Sequence, residues 1–357
     1  MTLVHILTLL GCAVAIYVAC EWFVNAIEWV GVRLKVGTLA VGTILAAAGT
    51  ALPESIVTLV AALGSDPHAK QLAVGAAMGG PLALATIAYG VTGAMLLMHR
   101  RAQWRALRAS SATEVSATGA EHADFDVLAH EDLLTGVDGS RLARDQGWFL
   151  AIFVFKVGLG LVAFALKPWL GVVFFAMYAL YFVREMRDDA EAHSDADLEP
   201  LKLQPGREVP TAWALATQTI AALGVVFVAS HLFVQQLEWA GPALGLPAAV
   251  TALLLSPIAT ELPELMNAII WVRQGKVQLA LANISGAMMI QATVPSGIGI
   301  LLTPWKFDGP LALSGVVTMV AILYLLLLIR TRHFTARHLT YVTGLYAVFG
   351  VGLLVLI

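Results

Sequence analysis

Apolar residues in this chain fall into long blocks that are separated by charged or Pro/Gly-containing breaks. A helix needs about 20 consecutive apolar residues to cross a bilayer, so these blocks indicate membrane-spanning helices. We predict ten of them, at 3–30, 36–64, 70–98, 147–166, 168–185, 211–239, 243–272, 277–303, 309–329 and 338–357. The first, second, sixth and seventh are longer than a ~30 Å hydrocarbon core requires, and we expect them to be tilted or broken.

The composition agrees with a membrane protein, because 59% of the residues are hydrophobic, 13% are charged and the mean hydropathy is +0.81. A soluble domain carries roughly 25% charged residues. The net charge of -3 gives no indication of a nucleic-acid partner. Cys12 and Cys20 both lie in the first apolar block, which favours packing residues over a disulfide.

The distribution of lysine and arginine predicts the orientation of the chain. If the N-terminus is outside, 17 of the 21 basic residues fall in the odd-numbered connections, which then face the cytoplasm. The positive-inside rule therefore supports ten helices with both termini outside, in the inner (plasma) membrane of the cell. The predicted parts are 1–98 (helices one to three), 99–146 (cytoplasmic loop), 147–185 (helices four and five), 186–210 (cytoplasmic linker) and 211–357 (the second repeat).

The two halves of the chain are related by an internal repeat. At a shift of 210 residues, Thr50 aligns with Thr260, Pro53 with Pro263, and Glu54 with Glu264. Each half holds five predicted helices, an odd number, so the second half starts on the opposite side of the membrane. Inverted repeats of this kind are common in secondary transporters. The predicted fold is an all-α polytopic membrane protein with ten transmembrane helices in two inverted-topology five-helix repeats.

Each repeat carries a Leu-Pro-Glu motif near the middle of its second helix, within residues 49–54 and 259–264. A proline inside a helix removes a backbone donor and frees a carbonyl, which in hydrocarbon must find another partner. An ionised Glu at that depth needs a counter-ion or a proton. Carboxylate, hydroxyl and carbonyl oxygens suit hard cations such as Ca²⁺ or Na⁺. The alternative is a proline kink with a protonated Glu, but two symmetric motifs favour a cation site.

The helices that follow the two motifs carry small and polar residues. The Gly75–Gly79 spacing and the segment 283–288 predict close packing against the broken helices. Asn283 and Gln291 are polar at membrane depth, and they either add oxygen ligands or hydrogen-bond between helices.

At these motifs the chain resembles the sodium/calcium exchanger family, within the group of cation/calcium antiporters, and it is similar to the bacterial-type ten-helix members. Members typically carry Gly-Thr-Ser-Leu-Pro-Glu in each repeat and an Asn-containing Gly-rich motif in the next helix. The resemblance implies alternating-access antiport, often of Ca²⁺ against Na⁺. It also implies Glu54 and Glu264 as central ligands, with Thr50 and Thr260 beside them and Asn283 in the second motif.

Several residues depart from the family pattern. Ala51 and Glu261 stand where the family has Ser, and Pro81 and Met288 stand where it has Asn or Asp. Side-chain oxygens for a full set of Na⁺ sites are therefore missing. Glu261 adds an acid to the candidate metal ligands, although on a regular helix it points about 60° away from Glu264. The cation site is retained in outline, and the coupling ion stays open.

Three further polar residues lie within the predicted helices. Glu21 and His231 occupy equivalent repeat positions, and they either relay protons or are satisfied by neighbouring helices. Lys156, in the fourth helix, either neutralises an acid or extends its ammonium to the membrane surface.

The sequence therefore favours a secondary antiporter that exchanges Ca²⁺ for Na⁺ by alternating access. The alternatives are an H⁺-coupled antiporter of Ca²⁺ or another divalent cation, and a cation channel. An enzyme is not expected, because neither His-Glu-x-x-His nor Gly-x-Ser-x-Gly occurs. The expected partners are the transported cations and the lipid bilayer, and no cofactor is expected.

Overall fold

The computed structural model describes residues 2–64, 67–99, 137–188, 198–243, 245 and 251–356. These residues form ten helices and no strand, which confirms the predicted number of helices and the all-α class. Three of the ten are built from consecutive segments, each with a π-helical turn, and α5 begins with a 3₁₀ turn. The helices are α1 (Thr2–Leu34), α2 (Thr38–Ala40, Val41–Ala46 and Ala47–Leu63), α3 (Pro67–Ala83 and Leu84–Ala88, continuing to 99), α4 (Gly139–Leu161), α5 (Lys167–Leu170 and Gly171–Asp188), α6 (Ala212–Ala243), α7 (Thr251–Leu255, Ser256–Thr260 and Leu262–Arg273), α8 (Val277–Leu302), α9 (Gly309–Arg330) and α10 (Ala336–Leu356).

Nine of these helices qualify as membrane spans by length and composition, if each of two bent pairs of segments counts as one span. The tenth, α4, carries Arg144, Asp145 and Lys156 within any stretch long enough to cross a bilayer. The predicted start of this helix at 147 is wrong, because α4 begins at Gly139. Its polar first turns are helical because Asp138 caps them and Arg141 pairs with the buried Glu185 of α5.

Most of the predicted loop 99–146 lies at 100–136, outside the described residues, as does the 189–197 part of the predicted linker. The described remainder of that linker lies against α1. Asn25 donates to the carbonyls of Glu199 and Pro200, and the Trp29 indole donates to Glu199. The linker between the repeats is therefore held on the first helix.

The two motif helices are broken at equivalent places. The π-helical turns begin at Val41 and Thr251, positions that the repeat shift of 210 relates. The chain then bends by 47° between Thr38–Ala51 and Glu54–Leu63, and by 51° between Leu253–Thr260 and Leu262–Arg273. The expected breaks in the second and seventh helices are therefore confirmed. The first and sixth are continuous over 33 and 32 residues, so tilt is the expectation that remains for them.

The small residues of α3 and α8 contact the broken helix of the opposite repeat. A Cβ on Gly79 of α3 would overlap the ring of Pro257 in α7, at 2.6 Å. A Cβ on Gly286 of α8 would overlap the backbone of Thr43 in α2. The close packing predicted from sequence is confirmed, and it joins the two repeats crosswise around the motifs.

Helices α1 and α6 pack along each other. At one end His5 stacks on Trp239 with 3.8 Å between ring centroids, and at the other Gln218 donates to Asn25 at 3.0 Å. An ion pair also joins α1 to the start of α8. The Lys276 ammonium, at the start of α8, lies 2.6 Å from the Glu28 carboxylate of α1, which also accepts from the Trp271 indole at 2.9 Å.

Candidate cation site

Carboxylates from the two repeats meet at the helix breaks. The side-chain amide of Gln291 in α8 donates to Glu54 Oε2 of α2 at 2.6 Å. The same nitrogen lies 2.7 and 2.8 Å from the two carboxylate oxygens of Glu261 in α7. Glu261 and Gln291 are buried, at 3% and 1% exposure. Of the two roles left open for Gln291, the structure shows hydrogen bonding between helices, and it places that bond between two acids of the candidate site.

Glu261 faces this cluster because α7 is not a regular helix at that residue. The segment Ser256–Thr260 ends at Glu261, and a new segment begins at Leu262. The expected 60° offset between Glu261 and Glu264 applies to an unbroken helix. Because the helix bends by 51° at this place, that offset does not hold here.

Glu264 is buried, at 1% exposure, near Thr50 of the opposite repeat. Asn283 of α8 donates to the backbone carbonyl of Glu264 at 3.3 Å. Several buried oxygens in this region lack a hydrogen-bond partner, namely Glu264 Oε2, Asn283 Oδ1 and Gln291 Oε1. Because buried polar atoms are nearly always paired, such oxygens fit a site that binds a cation during its working cycle.

The glycine at position 80 leaves room beside the acids. A Cβ built on Gly80 of α3 would lie 2.6 Å from Gln291 Oε1 and 2.7 Å from Glu261 Oε1. Any side chain at this position therefore occupies space next to the site oxygens. Helices α2, α3, α7 and α8 together surround the cluster.

Both motif threonines donate to backbone carbonyls within their own helices. The Thr260 hydroxyl donates to Pro257 at 3.1 Å, and the Thr50 hydroxyl donates to Ala46 at 3.2 Å. Among the described residues, no group of three or more His, Cys, Asp or Glu side chains has the arrangement of a metal centre. The candidate site instead combines pairs of carboxylates with amide and hydroxyl groups.

Sequence reasoning missed Asn267, which is completely buried with both amide atoms unpartnered. It lies one turn after Glu264, so both residues belong to the same face of α7. That spacing of a polar residue after the motif acid is the signal that would have indicated it. Cys20 of α1 is also buried, and its thiol lies 3.7 Å from the carbonyl of Pro263 in the motif.

The sodium/calcium exchanger protein family matches residues 4–186 and 215–357, which together span nearly the whole chain. The chain belongs to this family. It is therefore a multi-pass membrane protein of a transporter family rather than of an enzyme class. The matched ranges divide at the predicted linker, so each contains one five-helix repeat.

Two relatives match over much of the chain. Inner membrane protein YrbG of Escherichia coli (strain K12) is 27% identical over 304 residues, which cover 81% of this chain and 78% of YrbG. The candidate antiporter CaxA of Alkalimonas amylolytica is 23% identical over 347 residues, which cover 96% of this chain and 95% of CaxA.

Among solved structures, the sodium-calcium exchanger NCX_Mj in crystals soaked with 2.5 mM Na⁺ and 0.1 mM Sr²⁺ superposes with a TM-score of 0.70. The superposition covers 98% of both chains at 18% sequence identity. The fold is therefore that of NCX_Mj, which agrees with the prediction of ten helices in two inverted repeats.

Glu21 and His231 have partners away from the carboxylate cluster. The Glu21 carboxylate lies 3.0 Å from the Lys202 ammonium and is 41% exposed. His231 is exposed and contacts the Gln235 amide at 3.0 Å. These contacts match the alternative in which neighbouring groups satisfy both residues, and a proton relay stays a prediction.

Proposed function

We propose that this protein is an alternating-access antiporter that exchanges Ca²⁺ or a similar divalent cation for Na⁺. The proposed ligands are Glu54, Glu264, Glu261, Thr50, Thr260 and Asn283. The observation that carries the proposal is the meeting of Glu54 and Glu261, from opposite repeats, at one buried amide where both helices are broken. Oxygen ligands of this kind suit hard cations.

Symmetric broken helices also support alternating access. Inverted repeats allow the same site to face either side of the membrane as one group of helices moves against another. The related solved exchanger NCX_Mj was studied after soaking with Na⁺ and Sr²⁺, and also after soaking with Na⁺ and Ca²⁺. Na⁺ and Ca²⁺ are the ions proposed here. We further propose that the protein lies in the inner membrane with both termini outside.

One observation favours H⁺ as the coupling ion instead. Two carboxylates in one buried site, Glu54 and Glu261, repel each other unless a cation or a proton neutralises one of them. Proton exchange at this pair would fit the absence of side-chain oxygens at Ala51, Pro81 and Met288.

The test measures uptake of labelled Ca²⁺ into proteoliposomes that contain the full chain. We expect uptake that requires an outward Na⁺ gradient and continues at equal pH on both sides. Uptake driven by a pH gradient in the absence of Na⁺ would replace Na⁺ with H⁺ in the proposal. Single-channel recordings in which many ions pass during each opening would indicate a channel.

Glu54→Gln and Glu264→Gln are expected to abolish Ca²⁺ uptake, because each removes a ligand charge from the proposed site. Glu208→Gln, an exposed linker position, is the control for the loss of one acidic residue. Normal uptake by either site variant, in protein that purifies as a folded monodisperse species, would show that the ligands are wrongly assigned.

A further inference from the structure

Lys156 is a fully buried lysine next to the candidate site. Its side chain is 0% exposed, so the interpretation in which it extends to the membrane surface is wrong. The ammonium donates to the backbone carbonyl of Ala77 in α3 at 2.7 Å and lies 4.5 Å from the centre of the Phe153 ring. A buried ammonium costs several kcal/mol unless other groups compensate it, so its surroundings must supply opposite charge.

The carbonyl that Lys156 binds is free because of Pro81. In an α-helix the carbonyl of Ala77 would accept from the N–H of residue 81, and proline has none. In the interior of a membrane protein such a carbonyl needs another donor or a cation. Position 81 is also where the family resemblance places an Asn or Asp oxygen. The chain therefore replaces a side-chain oxygen with a backbone oxygen, and an ammonium occupies it.

The opposite charge comes from the site itself. The carboxylate of Glu54 and the ammonium of Lys156 interact through their opposite charges. Gly80, which lies between Ala77 and Pro81 in the chain, contacts the region of Glu261 and Gln291. The ammonium thus lies on a backbone oxygen three residues before Gly80, the glycine that adjoins the carboxylate cluster.

We propose that the Lys156 ammonium is a tethered cation that takes one of the monovalent-cation positions of the site. The charge is carried by the protein and is not released, so each cycle exchanges one coupling cation fewer than the same site without this lysine. This proposal rests on the proposed antiport function, with either Na⁺ or H⁺ as the coupling ion.

The experiment determines how many coupling cations are exchanged per Ca²⁺. The full chain is reconstituted, the membrane voltage is clamped with K⁺ and valinomycin, and the voltage of zero net Ca²⁺ flux is found at fixed ion gradients. That voltage depends on the coupling ratio, because every transported charge moves through the membrane potential.

Lys156→Gln is the decisive variant, because the glutamine amide can still donate to the Ala77 carbonyl while the charge is lost. We expect its zero-flux voltage to correspond to one more coupling cation per Ca²⁺ than in the wild type. Lys156→Arg keeps the charge and should keep the wild-type ratio. Lys167→Gln is the matched control, since Lys167 also donates to backbone carbonyls, those of Val162 and Trp305, elsewhere in the fold.

A second variant guards against misfolding of Lys156→Gln. The double variant Pro81→Asn with Lys156→Gln restores the N–H that pairs with the Ala77 carbonyl, and it should show the same increased ratio. An unchanged ratio in a folded charge-free variant would overturn the proposal and make Lys156 a structural partner of Ala77. Wild-type protein without coupled Ca²⁺ flux would overturn the proposed function as well, so the two failures are distinguishable.

Discussion

Gly80 shows how a single residue makes room beside the proposed cation ligands. It has no chemistry of its own, yet the site oxygens of Glu261 and Gln291 lie where its Cβ would be. The first prediction is that Gly80→Ala lowers the apparent affinity for the transported cation by at least about tenfold, or ~1.4 kcal/mol, because the methyl group displaces those oxygens. Binding to the purified protein measures this directly.

The control for this substitution lies on the same helix. At Gly75 a Cβ would meet its nearest neighbour, Leu253, at 4.0 Å, which is ordinary contact. Gly75→Ala should therefore bind the cation as the wild type does. Equal affinity in Gly80→Ala and Gly75→Ala would place the cation away from Gly80.

Sequence reasoning predicts the residues at the site better than their partners. The motif acids stand out in the sequence because a proline and an acid inside an apolar helix are unusual in themselves, and the family resemblance adds Thr50. Other features depend on which helices pack together. These are the two acids that Gln291 contacts, the unpaired Asn267, and the contact between Lys156 and Ala77. That information is tertiary, and no local pattern in the sequence contains it.

At the scale of the element, α4 shows why polar residues can begin a membrane helix. Asp138 accepts from the backbone N–H groups of Ser140 and Arg141 at 3.0 and 3.1 Å, which caps the helix. The hydroxyl of Ser140, together with these N–H groups, holds the pKa of Asp138 below its ordinary value of 3.8. Hydropathy alone cannot indicate a start of this kind, so the predicted helix began eight residues too late.

The second prediction concerns this cap. Asp138→Ala should lower the free energy of unfolding by about 1 kcal/mol at neutral pH, as is usual for the loss of an N-cap residue. Denaturation of the detergent-solubilised protein provides the measurement, and Asp138→Asn, which keeps a capping side chain, should recover most of the loss. Equal stability of the alanine variant and the wild type would contradict the role of the cap.

The same cap predicts a pH dependence. Because folding lowers the pKa of Asp138, the charged form is favoured in the folded protein, and its contribution is complete above the ordinary value of 3.8. The difference between the wild type and Asp138→Ala should shrink only as the pH falls below that value.

The proline breaks of α2 and α7 were predictable because the missing donor is a local property of the residue. The π-helical turns at Val41–Ala46 and Thr251–Leu255 were not, because neither segment contains a residue that demands that geometry.

At the scale of the whole molecule, α1 packs along α6 and the linker between the repeats, and the Glu28–Lys276 ion pair joins α1 to the start of α8. The third prediction is that Lys276→Gln shifts the population away from the described state. The pair is partly exposed, so the expected effect is at most about 1 kcal/mol, a roughly fivefold shift.

The thiol of Cys20 provides the measurement, since it is buried against the Pro263 carbonyl in the described state. Modification of Cys20 by a thiol reagent should be up to about fivefold faster in Lys276→Gln, because labelling follows the population in which α1 separates from α7. The exchanged pair Glu28→Lys with Lys276→Glu should return the rate toward that of the wild type. If the labelling rate of Cys20 is the same in the wild type and in both variants, this ion pair does not hold α1 in place.

The crosswise packing of the repeats has a consequence for biosynthesis. Gln291 follows Glu54 by 237 residues, so the acid enters the membrane long before its amide partner exists. At the usual elongation rate of about 5–20 residues per second, the interval is roughly 10–50 s. Until Lys156 is synthesised, an early part of this interval, a proton or a bound cation must neutralise Glu54 in hydrocarbon. The insertion machinery must therefore accept the first half of the chain as an incomplete intermediate, and the carboxylate cluster is complete only near the end of translation.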